Sequence, residues 1–363
     1  MNNEQETKLA YFKSEVEKIA KNENKYMFYV VDTKGVPSGM LEYIYTIALA
    51  LENAGKNVLM MHDEKEESFV GVKDWLGEKY AKLKHYSTTK QDLKVGAADI
   101  LFIPEIFVNV MEGTQEMPCK RVIISQNPFF MCQLMPLGKQ IGDYRLMDVL
   151  TNTQQNADLL KKWFGYAKIK TLVPTIKECF VPIDQPKKIL INIVAPEDDA
   201  KKIIKTFYWA YPEFKWVTFR NIGGILQEDF ANALKEAAIT IWCDEYTRFG
   251  YTALEAMACG SVVIGKVTED APVWVQKDKG DGIIWFRTYS ELCDVVMNVV
   301  RGWTHDSLPE ELFDNMKETV QPYLPASAGG RDFDAEAVAV CTKYVDDRRT
   351  DLSNAINQME KNG

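Results

Sequence analysis

The residues between Phe249 and Gly260 have the types and spacing of a helix start that could bind an anion. Phe249-Gly250 forms a loop, strong helix formers follow, and Gly260 stands where a helix would end. The first amides of a helix lack acceptors inside it, and the helix dipole adds positive potential, so this end can hold an anion. Gly250 lets a phosphate approach the backbone. Glu255 follows about one turn later, where its carboxylate could accept hydrogen bonds from two sugar hydroxyls.

Apolar strands and helical segments alternate along the chain, and this alternation would position that helix start. Around it we predict a strand over residues 239–243, a helix over 252–259 and a strand over 261–264. The first half alternates in the same way from the apolar run at 26–31 onward. Such alternation is typical of parallel sheets that bind ligands at the carboxyl ends of their strands. We therefore predict an α/β protein with two doubly wound, Rossmann-like domains facing a cleft.

A proline-rich segment divides the two halves. Prolines at positions 174, 182 and 186 interrupt any regular element over residues 172–186, as is typical of a linker. We predict an N-terminal domain over residues 1–182, a ligand-binding C-terminal domain over 183–330 and a helical tail over 331–363.

The N-terminal segment is amphipathic. Residues 5–21 carry apolar side chains at helical spacing among charges: Leu9, Phe12, Val16 and Ile19. Because Glu is mixed with Lys and no purely basic face results, we expect this helix to pack on the first domain. Peripheral contact with a membrane surface is the alternative.

The composition disfavours several classes of protein. The 43 Lys and Arg residues against 52 Asp and Glu give a net charge of −9, so no overall positive field favours nucleic acid. The seven cysteines show no CxxC pair and no metal-ligand spacing, which is typical of reduced thiols in a cytoplasmic protein. The sequence shows neither the apolar run of a secretory signal nor the roughly 20 apolar residues of a membrane helix. We therefore expect a cytoplasmic location.

The helix-start segment resembles a hallmark of the retaining nucleotide-sugar glycosyltransferases of the GT-B fold (glycosyl transferases group 1, family 4-like). In that family a Phe-Gly loop precedes Leu-Glu-Ala-Met-Ala-Cys-Gly and a Val-Ile strand, which matches Phe249-Gly250, residues 254–260 and Val263-Ile264. Weaker likenesses lie at residues 35–39, 98–100, 125–127 and 173–180 and at Gly282. The resemblance covers roughly residues 26–301 and is strongest in the C-terminal half.

The resemblance implies how substrates would bind. A UDP- or GDP-sugar would bind mainly to the second domain, the acceptor would bind to the first, and no metal would be required. Glu255 would bind the ribose hydroxyls, and Gly39 of the first domain would approach the diphosphate. The remaining implied contacts come from the amides of Phe249, Gly250 and Tyr251 at the diphosphate or sugar, and from Arg220, Asn221, Ile222 and Gly223 at the base.

Three positions depart from the family pattern. The family has a second glutamate eight residues before the ribose-binding one, and this chain has Thr247 there. The family places an Arg and a Lys after the first strand of the second domain, where only Lys201 is present; Arg248 beside the sugar loop could substitute. The first-domain histidine of the family has no counterpart, since Pro104-Glu105 follows the relevant strand. The candidate catalytic residues are therefore Arg248, Lys201 and Thr247.

Three functions follow as hypotheses. The first is a hexosyltransferase that acts with retention of the anomeric configuration on an unidentified carbohydrate or other small acceptor. The second is a degenerate homologue that binds a nucleotide sugar or a partner protein without catalysis. The third is a glycosyltransferase that modifies nucleic acid, which the acidic net charge disfavours. Acidic clusters at 197–199 and 332–334 are typical of helix starts or solvated loops rather than of a metal site.

Overall fold

The computed structural model describes residues 3–31, 38–62, 76–89, 93–181, 186–243, 249–266, 272, 274–275 and 280–362. The chain divides into two compact units, one formed by Met1–Val173 with Asp334–Gly363 and the other by Pro174–Phe333. The sequence placed the first division after residue 182. The division falls earlier because the proline-rich segment is tied to the second unit: the Ile176 amide donates to the Tyr323 carbonyl at 2.8 Å.

The first unit contains a seven-stranded parallel sheet in the order β3-β2-β1-β4-β5-β6-β7. Its strands are β1 (Lys25–Tyr29), β2 (Asn57–His62), β3 (His85–Ser87), β4 (Ile100–Pro104), β5 (Lys120–Ser125), β6 (Asp148–Thr151) and β7 (Lys168–Thr171). Every residue of β4, β5 and β6 is buried, as expected for strands covered on both faces. The direction in which strands are added reverses between β1 and β4, which are direct neighbours in the sheet.

Within the described residues of the first unit, five helices precede the linker. They are α1 (Asn3–Ala20), α2 (Gly39–Asn53), α3 (Val108–Gly113), α4 (Pro128–Leu134) and α5 (Gln154–Trp163). The predicted packing of α1 on this unit is confirmed by two hydrogen bonds from the segment before β4. The Ala97 amide donates to the Tyr11 hydroxyl at 2.9 Å, and the Ala98 amide donates to the Glu15 carboxylate at 2.7 Å.

The second unit contains a five-stranded parallel sheet in the order β12-β11-β10-β8-β9. Its strands are β8 (Lys188–Val194), β9 (Thr218–Asn221), β10 (Ala237–Trp242), β11 (Val262–Lys266) and β12 (Ile283–Phe286). Its helices are α6 (Glu197–Ala210), α7 (Gln227–Glu236), α8 (Tyr251–Ala258), α9 (Tyr289–Thr304) and α10 (Glu310–Val320). Ile191, Ile241 and Ile264 from three neighbouring strands pack with Phe207 of α6 and Val296 of α9 to form its core.

The tail forms one helix, α11 (Phe333–Asn362), which returns to the first unit. The Tyr344 hydroxyl donates to the Val149 carbonyl at 2.8 Å, and its ring meets Phe102 edge-on at a centroid distance of 5.9 Å. The two parallel sheets, with helices between β1 and β2, in the connections from β4 to β7 and in those from β8 to β11, confirm the predicted pair of Rossmann-like domains. Within the described ranges, no helix combines the length and the apolar content that crossing a bilayer would require.

Candidate functional site

The carboxyl ends of the second sheet's strands gather the predicted site segments at one edge. β8 ends at Val194 opposite Trp242, the last residue of β10, and β9 ends beside them at Asn221. Helices α6 and α8 follow β8 and β10, so their first turns lie at this same edge, where open α/β sheets bind ligands. We call the described segments at this edge the edge site: residues 195–201, 221–224 and 249–255.

Gly250 begins α8 in a conformation that other residues rarely adopt. Its φ is +76°, in the left-handed region. A Cβ atom added there would lie 2.8 Å from Trp274 Cζ2 and 3.0 Å from Pro272 Cγ. The Leu254 amide donates to the Gly250 carbonyl at 3.2 Å. The amides before Leu254 precede this first hydrogen bond of α8, as the first amides of any helix do. Glycine is thus required by backbone and by space, and it directs the start of α8 to the edge site.

We expect Gly250→Ala to lower the free energy of unfolding by about 2 kcal/mol, because the new Cβ disfavours the positive φ and also contacts Trp274. Denaturant titration measures this loss. Gly224→Ala is the matched control: φ is also +76° there, but no heavy atom in the described part of the chain lies within 4 Å of the added Cβ. The control should lose about 1 kcal/mol. Equal losses in the two variants would contradict the packing contribution.

The Phe249 side chain belongs to the core of the second unit rather than to a ligand surface. It is 3% exposed, and its ring centroid lies 4.5 Å from that of Tyr251 and 5.5 Å from that of Tyr323. The Phe249 carbonyl accepts a hydrogen bond from Trp274 Nε1. Phe249 therefore fixes the loop, and its ring is packed against protein.

Glu255 lies on α8 one turn after Tyr251, and only 9% of its surface is exposed. Burial raises the pKa of the Cys259 thiol to about 12, the Lys187 ammonium opposes that rise, and the Glu255 carboxylate adds to it. A carboxylate at this position is chemically able to accept hydrogen bonds.

The loop after β9, predicted to hold a base, is fixed by its own hydrogen bonds. The Asn221 side chain accepts from the Gly223 amide at 3.2 Å and donates to the Ala195 carbonyl at 3.3 Å. Ile222 is buried, and its amide donates to the Ile193 carbonyl at 2.9 Å. The backbone of this loop is therefore held across the end of β8.

The Arg220 guanidinium is used inside the unit. It donates to Asn192 Oδ1 at 3.1 Å, to the Glu236 carboxylate at 2.9 Å and to the Ala233 carbonyl at 3.1 Å. A groove of about 560 Å³ runs beside it between β9 and α7. Contact between Arg220 and a base would therefore use its backbone, as the resemblance implies.

Lys201, the candidate phosphate-binding lysine, lies on α6 and is exposed. Its ammonium forms an ion pair with Glu197 at 2.7 Å, and that carboxylate raises the pKa of Lys201. The other two candidate catalytic residues, Thr247 and Arg248, lie outside the described residues. The edge site thus contains Lys201 with its charge partly balanced.

Gly39, in the first unit, is the first residue of α2. No heavy atom of the described residues lies within 4 Å of a Cβ atom added there, and its φ is not positive. Neither space nor backbone conformation at this position requires glycine in the structure.

Sequence reasoning missed a tryptophan cluster beside the edge site. Trp242, at the end of β10, stacks on Trp274 with centroids 6.3 Å apart and lies 6.1 Å from Trp285. Trp285 Nε1 donates to the buried Asp281 carboxylate at 3.0 Å. The available signal was the presence of three of the chain's eight tryptophans between residues 242 and 285.

No group of three or more His, Cys, Asp or Glu side chains within the described ranges is arranged to hold a metal ion. The acidic cluster at 197–199 forms the first turn of α6, as predicted, where Glu197 pairs with Lys201 and Asp199 pairs with Lys202. Acidic side chains are favourable there because of the helix dipole.

Comparison with known proteins gives one curated relative and many structural neighbours. No protein-family model matches the chain. The chain is 26% identical over 180 residues to an α-1,6-glucosyltransferase of Actinobacillus pleuropneumoniae serotype 7, a match that covers 48% of this chain. The match spans about half of that relative, 54% of its length.

The structural neighbours are glycosyltransferases, and the alignments cover nearly the whole length of each neighbour. Sucrose-phosphate synthase from Thermosynechococcus elongatus gives a TM-score of 0.59 at 13% identity, covering 88% of this chain and 99% of the neighbour. The pneumococcal O-GlcNAc transferase GtfA, solved with UDP and GlcNAc, gives 0.59 at 8% identity, covering 90% and 99%. Anabaena HepE, solved with UDP, gives 0.52 at 9% identity, covering 89% and 100%. The chain has the fold of the GT-B glycosyltransferases.

Proposed function

We propose that this chain is a glycosyltransferase that moves a hexose from a UDP- or GDP-sugar to a carbohydrate or other small acceptor with retention. The observation that carries the proposal is the start of α8, where Gly250 brings helix amides to the edge site one turn before the buried Glu255. The name of the curated relative and the UDP in two neighbouring structures support it.

In the proposed complex the edge site binds the nucleotide sugar in three parts. The first amides of α8 bind the diphosphate, Glu255 accepts hydrogen bonds from the ribose hydroxyls, and the backbone of residues 221–223 contacts the base. Because Asn221 and Gly223 already fix that loop, little ordering cost is expected on binding.

Transfer requires positive charge where the leaving diphosphate gains negative charge. Loss of one such preorganised group costs about 3 kcal/mol in the barrier, or roughly 10²-fold in rate. We propose that Lys201 and Arg248 supply this charge without a metal, and that Thr247 adds a hydroxyl donor. Lys201 would exchange Glu197 for the phosphate, which is feasible because exposed ion pairs are weak. The leaving diphosphate itself would assist the acceptor, so no protein nucleophile is needed.

The test uses the full chain with UDP, GDP and their hexose derivatives. Calorimetry should show binding of one of the two nucleotides, and a nucleotide-release assay should show turnover that EDTA leaves unchanged. Loss of turnover in EDTA would contradict the metal-free mechanism. The absence of binding by either nucleotide would contradict the proposed function.

A second candidate function is a protein that binds a nucleotide sugar without catalysis. Thr247 in place of the family glutamate and the pairing of Lys201 with Glu197 favour it. The same experiments separate the two functions. Tight nucleotide binding without turnover, across a broad range of acceptors, would support this second one.

A further inference from the structure

Glu105 is a buried carboxylate at the carboxyl edge of the first sheet. It directly follows β4, and 1% of its surface is exposed. The strand order of this sheet reverses between β1 and β4, so Glu105 follows a strand at the reversal point. Open α/β sheets bind ligands at the carboxyl ends of strands at such a point.

The hydrogen bonds to Glu105 in the described part of the chain come from uncharged groups of one turn. The Gln126 amide donates to Oε1 at 2.9 Å, and the Asn127 amide donates to the same oxygen at 2.6 Å. The Ser125 hydroxyl donates to Oε2. The three donors are consecutive, from Ser125 at the end of β5 to Asn127 just before α4, so the carboxylate fixes the path of this turn.

Gln126 extends this arrangement to the segments that follow β1 and β6. Its side-chain amide donates to the Met40 carbonyl at 3.0 Å, at the start of α2. Its own carbonyl accepts from Asn156 Nδ2 of α5 at 2.9 Å. Glu105 therefore connects, through Gln126, the segments after four strands of the sheet.

We propose that Glu105 is a positioning residue that holds the turn 125–127 and the start of α2 in the arrangement needed to bind the acceptor at this edge. The acceptor part of this inference rests on the proposed function. Because Glu105 is buried, it acts through the turn and not by touching the acceptor.

The cost of this arrangement argues for a role beyond stability. Burial raises the pKa of Glu105 to about 7, although the hydrogen bonds from Ser125, Asn127 and Gln126 oppose the rise. The other titratable group linked to it in the described residues is the Cys132 thiol of α4, whose pKa the Glu105 charge helps to raise. Buried ionisable groups that lower the stability of the fold are expected at functional sites.

Glutamine should reproduce the geometry. Its Oε1 can accept both backbone amides, and its Nε2 can donate to the Ser125 hydroxyl oxygen. Alanine removes the acceptor of all three donors. The comparison of Glu105→Gln with Glu105→Ala therefore separates geometry from general loss of the side chain.

Asp99 provides a matched control at the other end of the same strand. It directly precedes β4, is 3% exposed and accepts hydrogen bonds from the Lys25 and Gly96 amides, each at 2.8 Å. It lies at the amino edge, away from the ligand-binding edge of the sheet. Asp99→Ala should thus disturb the unit without disturbing the turn.

The experiment compares the full-length wild type with Glu105→Ala, Glu105→Gln and Asp99→Ala, well below their unfolding temperatures. We expect Glu105→Ala to reduce transfer from the sugar donor more than tenfold while the dissociation constant of the nucleotide changes less than twofold. Glu105→Gln should restore transfer to within threefold of wild type, and Asp99→Ala should stay within twofold. Equal losses in Glu105→Ala and Asp99→Ala, or no rescue by glutamine, would overturn the proposal.

Hydrogen exchange supplies a readout that does not depend on the proposed function. Peptides covering residues 120–131 should exchange their amides at least tenfold faster in Glu105→Ala and at the wild-type rate in Glu105→Gln. Unchanged exchange in Glu105→Ala would overturn the positioning role even if the enzyme is active. A wild type that binds no nucleotide but shows the expected exchange pattern would refute the proposed function and, with it, the acceptor part of this inference.

Discussion

Replacing Glu255 by glutamine should lower kcat/KM for the sugar donor about 10²-fold while the fold is retained. In the proposed complex the carboxylate would present acceptors to two hydroxyls, whereas glutamine would keep one acceptor and turn a donor group toward the other hydroxyl. Hydrogen bonds to charged groups contribute about 1.5–3 kcal/mol each, so the loss of one corresponds to roughly 10²-fold. Because Glu255 is buried on α8, water should not fully replace the lost hydrogen bond.

Steady-state kinetics and nucleotide calorimetry measure this effect, and circular dichroism confirms the fold. Glu311→Gln is the control, since it removes the same charge from an exposed position on α10 of the same unit. It should leave kcat/KM within twofold. If Glu255→Gln matched this control, the ribose-binding role of Glu255 would be refuted.

Raising the pH from about 4.5 to 7 should cost the protein about 3 kcal/mol of stability through Glu105 alone. The pKa of Glu105 is raised from 4.5 to about 7 in the folded chain, chiefly by burial. Over this range the folded state retains a proton that the unfolded state has lost, so stability falls as the pH rises. Below the window both states are protonated, and above it the full cost is present.

The difference between wild type and Glu105→Gln isolates this contribution from the other titrating groups. Denaturant titrations at pH 5 and pH 8 should show that the glutamine variant gains relative to wild type as the pH increases. If the difference in the free energy of unfolding between wild type and Glu105→Gln were the same at both pH values, burial would not disfavour the charged form of Glu105.

The central strands could be predicted from the sequence, whereas the edge strands of the first sheet could not. β1 and β10 are almost continuously buried, and they lie in the apolar runs at residues 26–31 and 239–243 from which strands were predicted. β3 and β7 were not predicted, and both are edge strands of the sheet. β7 alternates lysine with other residues over Lys168–Thr171 and is partly exposed, so it lacks the buried run that marks a central strand.

Within the site, features that depend on neighbouring residues could be predicted from the sequence, whereas contacts between residues far apart in the chain could not. The turn at Gly250 and the position of Glu255 on α8 follow from neighbouring residues and could be predicted. The ion pair of Lys201 with Glu197 also lies within reach of sequence spacing, because the two residues are one helical turn apart. The hydrogen bond from Arg220 to Asn192 joins residues far apart in the chain, and only the folded unit reveals it.

The return of α11 to the first unit affects the order in which a ribosome-bound chain can mature. Tyr344 covers Phe102 and donates a hydrogen bond to Val149, so the first unit stays incomplete until residues 334–362 have been translated. The second unit, inserted between the two parts, emerges whole before then. Domains usually mature from the N-terminus onward during synthesis. Here the second unit should acquire its native packing first, and a nascent chain stalled before residue 333 should display the uncovered face of β4 and β6 to chaperones.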